Sequence, residues 1–172
     1  MPKTIVTRLT VAGLPIQLEH TLLGDVGKRL GGVSGHEGDA GEAIEWLCFY
    51  GQDTKGPWGL WLISGEIDGP MIGGFQWQRL PAKARMDHRC KLLNTSNRPA
   101  VELPIALHLG MSPPQVEALL GKPSSRFRDT TIYQHEHSLK LHGELYSAGN
   151  TLYLAFKDGA LWTILANYTI SS

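Results

Sequence analysis

Residues 110–123 read "GMSPPQVEALLGKP", and they spell a short helix with both ends marked. Ser112 stands three residues before Gln115, the spacing of a capping box. Its hydroxyl accepts from the Gln115 amide, and the Gln115 side chain returns the bond. Pro113 falls at the first helical position, where no amide partner is lost. Val116, Leu119 and Leu120 form one apolar stripe, Gly121 can take the positive φ that ends a helix, and Pro123 prevents its resumption. Two turns do not hold together in water, because nucleation costs more than so few hydrogen bonds recover. Such a helix has to be clamped onto a sheet.

Outward from this stretch, the chain echoes itself. "LPIQL" at 14–18 recurs as "LPIAL" at 103–107, a shift of 89. Val26, Leu30 and Gly31 recur as Val116, Leu120 and Gly121, and Asp68–Gly69 as Asp158–Gly159, both at a shift of 90. Order and spacing are kept, which points to an internal duplication. The expected organisation is a first repeat over 1–85, a polar, basic linker over 86–97 and a second repeat over 98–172. In the first repeat the helix is "LLGDVGKRLGG", with Leu22, Leu23, Val26 and Leu30 on one stripe. Gly24 and Gly27 weaken it, each by ~1 kcal/mol relative to Ala.

Strands follow each helix. The segments 42–51, 58–67 and 72–80 read as a meander in the first half, and 130–138, 151–157 and 161–169 in the second. Each Asp-Gly pair is the tight-turn dipeptide at the second hairpin of its half. The expected fold is therefore α+β, a tandem repeat of a short helix and a three-stranded antiparallel meander, with the helices on one face.

The stretch 110–123 resembles the signature of the BamE (SmpA/OmlA) lipoprotein family, with its Gly-Met-Thr, Gln-Val and Leu-Leu-Gly-x-Pro, Ser112 standing where Thr is usual. The tandem plan resembles the β-lactamase inhibitory protein fold. The resemblance implies an extracytoplasmic, periplasmic or secreted, protein that binds other proteins. No lipidated cysteine stands near the start, so membrane anchoring does not carry over. Cys48 and Cys90 do not reproduce the disulfides within each repeat of the inhibitor.

Composition narrows the function classes. Sixteen basic residues balance sixteen acidic ones, so no global field attracts a polyanion and nucleic acid is not an expected partner. No run approaches the ~18 apolar residues of a membrane span. "MPKTIVTRLTVAGLPIQLEH" alternates, with Arg8 inside it, and does not read as a secretory signal. The chain is then either a cytoplasmic protein or a mature form whose leader Met1 replaces. Two cysteines are neither a disulfide framework nor a zinc site. Cys48 reads as a small buried hydrophobe on a strand, and in an oxidising compartment it can pair with Cys90.

Three segments were candidates for chemistry. "YQHEHSLKLHGELY" carries His135, His137 and His142 with Glu136 and Glu144. On a strand His135 and His137 share a face, but no second cluster completes a ligand set, so the reading is a polar strand face with no metal or cofactor. Asp87, His88 and Cys90 lie on the linker, where neighbours in sequence rarely converge into a nucleophile and its base. Residues 31–42 are glycine-rich, with Glu37, Asp39 and Glu42, but lack the Gly-Lys-Ser/Thr of a phosphate loop.

The aromatic residues carry the functional expectation. Trp46, Trp58, Trp61, Trp77, Trp162, Tyr50, Tyr133 and Tyr153 all fall on or beside strands, more than two short helices can cover. A non-enzymatic module is expected, binding another protein through one sheet face with Trp61, Trp77, Tyr133 and Tyr153 as the binding residues. The alternatives are an envelope structural protein binding a small ligand or peptide, and a metal-dependent enzyme using His135 and His137.

Overall fold

The computed structural model describes residues 6–39, 43–65, 69–94 and 98–171. In chain order the elements are β1 (Arg8–Val11), β2 (Leu14–Gln17), α1 (Leu23–Leu30), β3 (Gly35–Glu37), β4 (Ile44–Asp53), β5 (Gly56–Gly65), β6 (Gly74–Arg79), β7 (Lys91–Leu92), β8 (Val101–Glu102), α2 (Pro113–Leu120), β9 (Ser125–Phe127), β10 (Thr130–Leu141), β11 (Glu144–Lys157) and β12 (Ala160–Ser171).

The tandem α+β repeat is not what forms. The described residues are mostly β, 54% strand against 10% helix, and the meanders of the two halves are not separate units. They join through β6 and β12 into one nine-stranded sheet of order β3-β4-β5-β6-β12-β11-β10-β9, with β7 pairing parallel to β4. A second, three-stranded sheet has the order β2-β1-β8 and so draws on both halves of the chain. The two helices do lie ninety residues apart, but each is only eight residues long. α1 buries Leu23 and Val26, and α2 buries Val116 alone. Three side chains cannot cover a sheet of this width, so a second sheet is needed.

That cover is supplied by Val6, Leu9, Val11, Ile16 and Leu18 from the first hairpin, and by Val101, Leu107, Leu109 and Met111 from the segment before α2. Against them the large sheet presents Leu47, Phe49, Trp58, Leu60, Leu62, Phe75, Trp77, Leu152, Leu154 and Ile164. Asn150 ties the layers together. Its Oδ1 accepts from the Val6 amide at 3.1 Å, and its Nδ2 donates to the carbonyls of Val6 at 3.0 Å and Asn167 at 2.7 Å.

The helix ends follow the sequence closely. Ser112 Oγ accepts from the Gln115 amide and Gln115 Oε1 from the Ser112 amide, a complete capping box. Gly121 closes the helix at φ 81°. In α1 the stripe starts one residue later than expected, since Leu22 is the residue before the helix and is exposed. Asp158 and Gly159 both have positive φ, as a two-residue hairpin turn requires. The counterpart Asp68 lies outside the described residues.

Candidate functional site

Register decides which aromatic residues share a face. Trp61 stands opposite Gln76, Gln76 opposite Leu165, Leu165 opposite Tyr153 and Tyr153 opposite Ile132. This row crosses β5, β6, β12, β11 and β10 on the side away from the core, and each member is half-exposed. Three inter-strand steps separate Trp61 from Tyr153, roughly 14 Å. Ile63, beside Trp61, and Thr163, beside Leu165, continue the same surface, again half-exposed.

The other two expected binding residues belong to the opposite side. Trp77 is opposite both Leu60 and Ile164, 8% exposed in the core, and its indole nitrogen has no hydrogen-bond partner among the described residues. Tyr133 stands opposite Leu152 on the core side, where its hydroxyl donates to the Gly121 carbonyl at 2.8 Å. Burial, and secondarily the Glu117 charge, raises its phenol above the ordinary tyrosine range. Trp61 and Tyr153 therefore share the outer face, while Trp77 and Tyr133 hold the core and the end of α2.

Glycine shapes the outer face. A Cβ at Gly59 would meet the Trp61 ring at 2.7 Å, so the indole lies along its own strand because residue 59 has no side chain. Gly35, opposite Trp46 on the neighbouring strand β3, likewise leaves room for the Trp46 ring. The result is a shallow depression of about 280 Å³ lined by Glu37, Ile44, Trp46, Trp61, Ile63, Gln76 and Gln78. The Gln76 amide donates to Gln78 Oε1 on its floor.

One border of this face is a wall built from the linker. Cys48, opposite Trp61, is bonded to Cys90 with their Cα atoms 4.4 Å apart. Arg89 lies over the Trp46 ring at 4.7 Å and grips Asp87 through both guanidinium and amide. The Arg89 hydrogen bonds hold the Asp87 carboxyl well below the usual carboxylate range. The segment expected to be a polar, basic linker is thus stapled over the edge of the sheet. Cys90, as half of a disulfide, is no nucleophile. Only a sequence reading that committed to the disulfide would have placed it there.

His135 and His137 do share a face, stacked at 5.6 Å between ring centroids, with His137 also stacked on Tyr168. Among the described residues no group of three or more His, Cys, Asp or Glu converges on a metal-binding geometry. No helix among them is long and apolar enough to cross a membrane.

No family model, curated protein or solved structure matches this chain. The likeness of residues 110–123 to the BamE signature accordingly rests on those residues alone.

Proposed function

We propose that the chain is a non-enzymatic protein-binding module that docks a partner on the outer face of its large sheet. The observation that carries this is the row Trp61–Gln76–Leu165–Tyr153–Ile132, half-exposed across five strands with the Trp61 indole laid flat. Amphipathic aromatic rings in a rigid setting supply most of the energy at protein interfaces, because they bury much area and lose little rotamer freedom. The row itself carries no charge, so the surface suits a partner patch that is apolar and hydrogen-bonding rather than ionic. The Cys48–Cys90 bond supports work in an oxidising compartment, the periplasm or outside the cell, where such bonds persist.

The test is a photo-crosslinking residue placed at Tyr153 and, separately, at Lys122, well away from the row. A discrete crosslinked protein should form from position 153 and not from 122, and Trp61→Ala should abolish it. With the captured partner purified, Trp61→Ala and Tyr153→Ala should each weaken binding at least tenfold, about 1.4 kcal/mol. Equal capture from both positions, or affinity untouched by both substitutions, would dismiss the outer face as the docking surface.

A further inference from the structure

The two edges of the large sheet are finished differently. At the β4 edge lie β3 and β7, three and two residues long, with the disulfide-bonded segment alongside. Short, interrupted strands of this kind protect an edge from further pairing. At the other edge β9 covers only Thr130–Ile132 of β10, and Ser124 bonds to Gln134 through its hydroxyl. From His135 to Leu141 no described strand pairs with the outer side of β10. Over the same stretch its inner side is paired with β11 in unbroken register. That free edge has no proline and no bulge.

The direction of its backbone groups can be read from its covered end. The Ser124 amide donates to the Ile132 carbonyl at 2.9 Å, and the Gln134 amide donates to Ser124 Oγ at 2.9 Å. Residues 132 and 134 therefore aim their polar groups outward. By strand alternation Glu136, Ser138 and Lys140 do the same.

We infer that this edge pairs antiparallel with the same edge of a second copy of the chain, about a two-fold axis through Ser138. Two independent features select that register. Ser138 is the midpoint of the free stretch, since His135 and Leu141 lie three residues to either side. The same axis sets Glu136 opposite Lys140 of the other copy, and Lys140 opposite its Glu136, on one face of the joined sheet. Neither residue has an ion-pair partner among the described residues of its own chain. A shift of the axis by one residue in either direction loses both charge pairs, placing Glu136 opposite Ser138 or His142. On the other face His137 meets Leu139 and His135 meets Leu141. Three facing pairs with outward groups exchange about six hydrogen bonds. An edge contact of this length is at the small end of the interface scale, so association at micromolar concentration is the expected strength. The axis is perpendicular to the sheet, which leaves the outer faces of both copies on the same side. The inference uses a different surface from the proposed docking face and does not depend on it.

Sedimentation velocity of the full chain from about 1 to 100 µM tests it. The wild type should pass from monomer to dimer in that range. Glu136→Lys and Lys140→Glu should each weaken the dimer at least tenfold, because each replaces two attractive pairs by two repulsive ones. Glu136→Lys combined with Lys140→Glu should restore it, since the pairs are re-formed with their signs exchanged. Under mild oxidation Ser138→Cys should crosslink to its mate. Glu136→Cys should not, the two thiols being about 14 Å apart along the strands. A wild type that stays monomeric throughout overturns the proposal. So does a dimer indifferent to single charge reversal, a double reversal that fails to recover while folded by circular dichroism, or equal crosslinking at 136 and 138.

Discussion

Ser112 shows how much one residue can decide at an element's end. Its hydroxyl and the Gln115 side chain satisfy two of the amides that an eight-residue helix leaves unpaired. Ser112→Ala should destabilise the protein by about 1 kcal/mol, read as a lower midpoint in urea at unchanged slope. An unaltered midpoint would show that the box contributes nothing. Asp87 is a second case. Arg89 donates to its carboxylate from side chain and backbone, and depresses its folded pKa. Because the lowered pKa favours the ionised carboxylate in the folded state, its contribution to stability is present at neutral pH and is lost as pH falls below the ordinary carboxylate range. A carboxyl-carbon NMR titration should find Asp87 still ionised at pH ~3, where most carboxylates have protonated. Titration alongside the others would break the clasp reading. Ser112 was legible in sequence because capping is local. Asp87 was not, because its two-residue spacing to Arg89 means nothing until the segment is held still.

At the scale of elements, strand alternation was legible and the identity of the buried side was not. Trp61 and Tyr153 were rightly expected to share a face, but Trp77 and Tyr133 were expected to join them and do not. All four residues sit on strands with apolar neighbours, and only register relates one strand's parity to the next. The difference is measurable. Trp77→Ala should cost ~3–5 kcal/mol, as a large core truncation does. Trp61→Ala and Tyr153→Ala, made on a half-exposed face, should cost well under half of that in a parallel set of denaturation curves. Comparable losses for all of them would make the outer face part of the core. Gly59→Ala gives a finer probe. Its methyl group needs the space of the Trp61 ring, so indole fluorescence should change while the fold is kept. The hairpin at His142–Gly143 was also missed. Two positive-φ residues, at 51° and 88°, let β10 and β11 run on where a loop was expected. A His-Gly pair between alternating segments was the available signal, weaker than Asp-Gly because His is less often found at positive φ.

For the whole molecule, the contacts that matter most are far apart in sequence. Cys48 and Cys90 close a loop of 42 residues, for which chain entropy alone gives roughly 4 kcal/mol. Replacing both with Ala should lower the melting temperature on the order of 10 °C, and a reducing agent should do the same to the wild type but not to the variant. Asn150 closes a longer one, reaching Val6 across 144 residues. Asn150→Ala strands two buried backbone groups and should cost more than ~1 kcal/mol, whereas an apolar surface change nearby should not. By itself the sequence determined the two helices, the capping box of α2, the six long strands and the Asp158–Gly159 turn, because each follows from spacing within about ten residues. It suggested two repeats of helix and meander, and there the tertiary structure decided otherwise. Only tertiary structure could show that β6 would bond to β12, that β1, β2 and β8 would form a second sheet, and that Cys90 would reach Cys48. Each of these depends on which surfaces remain uncovered once the local elements exist. Two short helices leave most of a nine-stranded sheet uncovered, so burial recruited the first hairpin and the segment before α2 to one side and left the Trp61–Tyr153 row on the other.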